Sequence, residues 1–258
     1  MNKEAVIAIW VHVDNGVIVS NLADKISDFK SPICAELNIK WTDEVQQIVG
    51  LKCTIGEGEV AIAQRRLPNS ILDAYLRLVL QWDSPLPVGS LLPDEATLDL
   101  TPLQSVIGSL AYLVSGLRPD LAFAVNYLAC HSMGPTATHW GLLDHVIGYL
   151  LKTRHCGITL CPGMLSLNLW SYAGWGGDLE HSQTAFMIKL GDAPILWGSK
   201  CQSLVALSTC AAEYIALCDS TQHLVQAINQ LSQLAGDFDK TIFCENQAVV
   251  QVLIDNKS

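Results

Sequence analysis

Residues 165–175 read "LSLNLWSYAGW". Leu165, Leu167 and Leu169 alternate with polar neighbours, the period-two pattern of a strand with one buried face, and the strand runs into Trp170. The elements after it set the class of fold. Ala185–Ile188 and Pro194–Trp197 read as two more strands around Gly191-Asp192. A long helix is expected from Ser208-Thr209, whose hydroxyls suit an N-cap, with apolar positions at Ile215, Leu224, Val225, Ile228, Leu231 and Leu234. Thr241–Cys244 gives a further short strand and Ala248–Ile254 a helix. Three strands, a helix, a strand and a helix is the order of an α/β layer on a mixed sheet.

Upstream the period is helical. Thr136 or Thr138 can cap a helix whose apolar face includes Trp140, Leu143, Ile147, Leu150 and Leu151. Pro119 suits a first helical position, and Leu121–Ala129 continues that helix. Residues 83–104 hold Pro85, Pro87, Pro93 and Pro102 among several acids, the composition of a linker. Ser70–Leu80 is expected to be helical. Residues 46–64 suggest a hairpin around Gly50 and Gly56-Glu57-Gly58. Leu22, Ile26 and Phe29 lie on one face of a short amphipathic helix, with Ser20 or Asn21 as its N-cap. "IWVHVDNGVIVS" (9–20) reads as strand, turn, strand, with Asp14-Asn15-Gly16 supplying the turn. There is no internal repeat.

The chain has 258 residues, half of them hydrophobic and 16% charged, enough to bury a substantial core. No apolar run reaches the ~18 residues that would span a bilayer, so no membrane association is expected. Ala5–Val13 is short, comes after Lys3-Glu4 and lacks a small-x-small cleavage site, so no signal peptide is expected either. That reading implies an intracellular protein, cytoplasmic or nuclear. Nine cysteines are scattered without a Cys-x-x-Cys pair, which predicts reduced, mostly buried thiols rather than a zinc ribbon. His139 and His145 are six apart, not the i, i+4 spacing of a zinc pair, and structural roles are expected for them. Net charge is −10; residues 1–100 carry 8 basic and 14 acidic groups, and residues 166–258 carry 4 and 9. A surface that grips a phosphate backbone is normally basic, so the balance disfavours such a partner.

Five blocks, "SVIGSLAYLVSGLRPDLAFAVNYLA" (105–129), "HWGLLDHVIGYLLKT" (139–153), "WSYAGWGGDLEHSQTAF" (170–186), "WGSKCQSLVALSTCAAEYIAL" (197–217) and "IFCENQAVV" (242–250), together resemble a copia-type retrotransposon polyprotein. The order is that of the end of a reverse transcriptase and then ribonuclease H. "WVHVDN" (10–15) resembles the family's Tyr-Val-Asp-Asp box, and "AIAQRRLPNSILD" (61–73) its entry into the thumb. The resemblance implies an α/β chain: a palm and thumb remnant over residues 1–95, a helical connection over 96–164, and over 165–258 a ribonuclease H-like mixed sheet with flanking helices, truncated at its C-terminus.

The resemblance also implies chemistry. Both family activities, RNA-directed DNA synthesis and cleavage of RNA in RNA–DNA hybrids, use carboxylates that hold two Mg²⁺ ions. In the polymerase box Asp14 matches the first acid, while Asn15, an uncharged and weaker Mg²⁺ ligand, stands at the second and His12 replaces the tyrosine. The third acid would lie before Met1. In the ribonuclease H strand, Tyr172 and Gly174 stand where the family has acids, and a phenol with a pKa near 10 is a poor ligand at neutral pH. Glu213 matches the catalytic glutamate; Ala211 replaces a second acid. Glu245 keeps a charge where the family has Asp, one methylene longer, and a displacement of ~1 Å at such a site can cost ~10²-fold in rate. The family's last acidic segment would lie beyond Ser258. Asp14, Glu213 and Glu245 are thus the metal-ligand relics. Lys200 keeps a basic residue before the long helix, Cys201 replaces a second, and Trp170, Trp175 and Trp197 are candidates for stacking on bases.

A catalytically inactive relative is the expectation. Two alternatives differ in class: a residual Mg²⁺-dependent ribonuclease H using Glu213, Glu245 and a substitute such as Asp178, and a non-catalytic nucleic-acid or protein interaction module.

Overall fold

The computed structural model describes residues 6–75, 77–87, 101–161, 163, 166–175 and 181–255. Leu165, Asp178, Pro93 and the 95/96 segment boundary lie outside the described residues.

The strand that opens the C-terminal layer, β7 (Ser166–Gly174), is central in a four-stranded sheet of order β10-β7-β8-β9. β8 (Gln183–Leu190) and β9 (Ala193–Cys201) succeed it as antiparallel neighbours, and β10 (Asp239–Cys244) returns parallel to it. The sheet is therefore mixed, as the element order predicts. Its connection is α6 (Thr209–Ala235), capped by Ser208, whose Oγ accepts the Ala211 N–H. α6 covers one face. Leu167, Leu169 and Ile188 pack there against Leu224, Ala227 and Phe238, and each leucine so buried contributes roughly 1.5–3 kcal/mol. Polar links fix the register: Ser171 Oγ lies 3.2 Å from Ser220 Oγ, and Lys200 pairs with Asp219 at 3.0 Å.

The opposite face of β8 and β9 carries helices. α3 (Thr101–Leu117) accepts the Trp197 indole N–H at Val114 O, 2.9 Å. α4 (Ala122–Cys130) comes after a 3₁₀ turn at Pro119–Leu121, and its Asn126 amide donates to Gln183 Oε1 at 2.8 Å. Pro119 takes the first position of that turn, as expected. α3 and α4 share one core with α5 (Ala137–Thr153) and α2 (Arg66–Ala74), built from Ile71, Leu103, Leu110, Leu121, Leu128, Leu143 and Leu150. Thr136 and His139 form a capping box at the start of α5. Arg118 is buried in this unit, and each of its guanidinium nitrogens is bonded: Asp120 takes the guanidinium bidentately, and Thr153 accepts through O and Oγ1. A buried guanidinium is tolerable only with that degree of satisfaction.

A second sheet has the order β3-β4-β5-β6: Gln47–Ile48, Leu51–Gly56, Glu59–Ala63 and Gly157–Leu160. β6 escapes sequence reasoning, because so short a segment acquires a strand's identity only by pairing with β5, far earlier in the chain. Through β6 and Ile71, the region before residue 95 shares both a sheet and a core with the helices after residue 101.

The N-terminal unit is β1 (Ile7–His12), β2 (Asn15–Ser20) and α1 (Ala23–Glu36). β1 and β2 pair only with each other, and no described residue of 6–36 is buried.

Four local expectations need correction. The first hairpin turns at Val13-Asp14, with Val13 at φ 54°; the turn lies one residue ahead of the Asp-Asn-Gly signal because the two-residue loop closes on the His12–Asn15 pair. The N-cap of α1 is Leu22, and Ser20 Oγ accepts the Leu22 N–H from outside the helix. α2 ends at Ala74, since Tyr75 and Arg77 leave the helix to bond Asp144 of α5, both at 2.6 Å. Finally, the nine thiols are free, as expected, but not buried: five are exposed and four half-buried.

Candidate functional site

The end of β7 sets the frame. Ser171 and Ala173 point toward α6, where Ala173 packs on Ala212 and Ala216. By strand alternation Tyr172 points the other way, 53% exposed. Gly174 offers no side chain. Both positions where the family has acids therefore stand at this end of the strand without a carboxylate.

Glu213 sits near the start of α6 and is 7% exposed. Its carboxylate accepts the Ala173 backbone N–H, while Oε2 is buried with no hydrogen-bond partner among the described residues. Burial pushes its pKa up, the Ala173 N–H works in the opposite direction, and the negative charge of Glu245 pushes it up again. Glu245 lies just past β10, whose Cys244 is level with Ser171 in the parallel register, so the sheet delivers it to the same end as Tyr172 and Gly174. The next residue, Asn246, caps α7 (Gln247–Asp255) by accepting the Val249 N–H. Ala211, where the resemblance expects a second acid, lines an apolar groove with Tyr214, Val249 and Val252.

Asp14 is elsewhere. It lies on the β1–β2 hairpin, exposed, and its Oδ1 accepts the Asn15 amide at 2.8 Å. The structure thus brings Glu213 and Glu245 together and leaves Asp14 apart. Among the described residues no three His, Cys, Asp or Glu side chains converge as a metal site. Asp178 lies outside the described residues.

The donor set decides the fit to Mg²⁺. This ion demands an octahedron of oxygens, and two-ion chemistry needs carboxylates that bridge both ions. Among the described residues, two carboxylates, one of them driven toward its neutral form, do not fit a two-metal centre.

The other candidates are structural. Lys200 is engaged by Asp219, Trp197 by Val114 O, and Trp175 by Ala206 O at 3.1 Å. His139 is buried in the capping box, and His145 Nε2 meets Ser84 O at 3.0 Å. Trp170 differs. It stacks on Phe243 at 4.9 Å and 10°, with Lys189 Nζ 5.0 Å from its ring centre. Phe243 is a surface residue that sequence reasoning missed; its place opposite Trp170 emerges only when β10 pairs with β7.

No family model matches the chain. It is 29% identical over 254 residues to the "Retrovirus-related Pol polyprotein from transposon RE2" of Arabidopsis thaliana, covering 94% of this chain but only 17% of that protein's length. It is 39% identical over 127 residues to "Secreted RxLR effector protein 161" of Plasmopara viticola, covering 48% of this chain and 89% of that protein. Among solved structures, a foamy viral protease-reverse transcriptase in complex with double-stranded DNA superposes with a TM-score of 0.41 at 12% identity, over 78% of this chain and 32% of that one.

Proposed function

We propose that the chain, similar along some 94% of its length to retrotransposon Pol polyproteins, is a copia-type reverse transcriptase and ribonuclease H-like segment that has lost the chemistry and kept the scaffold. On this reading residues 1–95 descend from the palm and thumb, 96–164 form the helical connection, and 165–258 form the ribonuclease H-like unit. The observation that carries it is the pairing of Glu213 with Glu245 beside Tyr172 and Gly174, which leaves two carboxylates among the described residues where hybrid cleavage uses about four. Asp14 and Asn15 stand as relics on a hairpin, and no three His, Cys, Asp or Glu side chains converge there among the described residues. Among the described residues, Mg²⁺, the family's cofactor, would meet Glu213 and Glu245 here.

The test is a titration with Mn²⁺, a spectroscopic stand-in for Mg²⁺, against the wild-type chain and Glu213→Gln. Weak binding, equal in the two proteins, is expected. Binding that is lost in Glu213→Gln would show a working metal centre and contradict the proposal.

The exposed Trp170–Phe243 stack with its flanking Lys189 favours a second reading, a non-catalytic module that stacks on unpaired bases. Affinity for a single strand that falls in Trp170→Ala would support it, and the salt dependence would report how many phosphates take part.

A further inference from the structure

Asn126 and Cys130 are four residues apart on α4 and so share one helical face. Gln183 and Cys201 are cross-strand partners on β8 and β9 and so point to one face of the sheet. Asn126 is bonded to Gln183. That bond sets the register between helix and sheet, and it carries Cys130 over Cys201. α4 packs directly on β9, and Cys130 lies close enough to act on the charge of Cys201. Cys130 is exposed at the end of the helix, and Cys201 is half-buried beneath it.

We propose that Cys130 and Cys201 are a disulfide-forming pair that fastens the helical segment to the ribonuclease H-like sheet when the protein meets an oxidant. With oxidised glutathione the atoms balance simply. The exposed Cys130 thiolate attacks one sulfur of the glutathione disulfide, forms a mixed disulfide and releases one reduced glutathione. Cys201 gives up its proton to solvent and attacks Cys130 Sγ. The S–S bond closes, and the second glutathione thiolate leaves and takes up a proton. Both cysteines are oxidised, and one glutathione disulfide is reduced to two thiols. Burial of Cys201 and the neighbouring Cys130 thiol push its pKa up, so the closing step speeds up in alkali. In a reducing compartment the pair stays open. The pair stands apart from the Glu213–Glu245 centre and does not depend on whether that centre binds metal.

The experiment uses the unmodified full chain. It is equilibrated with graded ratios of oxidised to reduced glutathione, alkylated, digested and mapped by mass spectrometry, with a urea-unfolded sample in parallel. The expected result is a linked Cys130–Cys201 peptide, with loss of both alkylation sites, strongly enriched over the unfolded control. Cys201→Ser is then expected to trap glutathione on Cys130. Recovery of Cys130 and Cys201 as separate glutathione adducts or alkylated thiols from the folded chain, even without reduced glutathione, would overturn the proposal. So would linkage no more frequent than in urea.

Discussion

Glu245, just past the end of β10, raises the pKa of Glu213, buried at the start of α6. In a working centre a cation would stand between such charges. Here the repulsion falls on a carboxyl that is already desolvated and whose Oε2 has no hydrogen-bond partner among the described residues.

Glu213→Gln should stabilise the chain at neutral pH by roughly 1 kcal/mol, the usual scale for relieving a strained functional position. The sign comes from linkage. A carboxyl whose pKa is raised by folding binds more protons folded than unfolded, so stability falls as pH climbs from the ordinary Glu range through the folded pKa, and stays lower above it. The gain from Gln should therefore be present at pH 7 and vanish near pH ~4. Urea midpoints at both pH values check this; an equal gain at both would show that charge is not the cause.

Tyr172→Asp with Gly174→Asp should not produce hybrid cleavage. The new acids would join a glutamate already pushed toward neutrality and a Glu245 one methylene too long for the family geometry. A gel assay with labelled hybrid and Mg²⁺ checks it, and robust cleavage by the double variant alone would show that two substitutions suffice.

Gly148→Ala should loosen the segment from Arg77 to Leu86. A Cβ on Gly148 of α5 would run into Leu80 O and lie 2.8 Å from Trp82 Cδ1, and backbone must move to admit it. Overpacking of that kind costs about 1–3 kcal/mol. The same segment is held by Trp82 stacked on His145 at 4.5 Å and by Asp83 paired with Lys152. Faster amide exchange across 77–86, with α6 unaffected, is the expected pattern.

Val49→Asn should stabilise the β3–β4 hairpin. Val49 lies at φ 46° and Gly50 at φ 79°, a turn in which both central residues have positive φ. Asn-Gly is the favoured pair for it, and a β-branched residue there costs about 1–2 kcal/mol. The gain should appear as a higher urea midpoint at unchanged slope.

What could be read from the chain depended on the range of the interaction. The Ser208 cap and the apolar spacing of α6 are local, and the helix begins where they place it. The alternation of Leu167 and Leu169 located the central strand for the same reason. α2 was misplaced because Asp144, far along the chain, draws Tyr75 and Arg77 out of the helix. The first turn lies one residue earlier than its turn residues suggest because the loop closes on the His12–Asn15 pair, which only the paired strands reveal. Motif positions showed which acids are absent. They did not show that Glu213 is buried with an unpartnered oxygen, that Phe243 stacks on Trp170, or that Cys130 rests over Cys201. Each of those is a contact between elements with no local signature.

The most direct measurement is cleavage of a labelled RNA–DNA hybrid by the purified, folded chain with Mg²⁺ or Mn²⁺, beside Glu213→Gln. No cleavage above background is expected from either protein. Cleavage by the wild type that disappears in Glu213→Gln would contradict the loss of chemistry, and would mean that two glutamates and a ligand from elsewhere in the chain still assemble a nuclease.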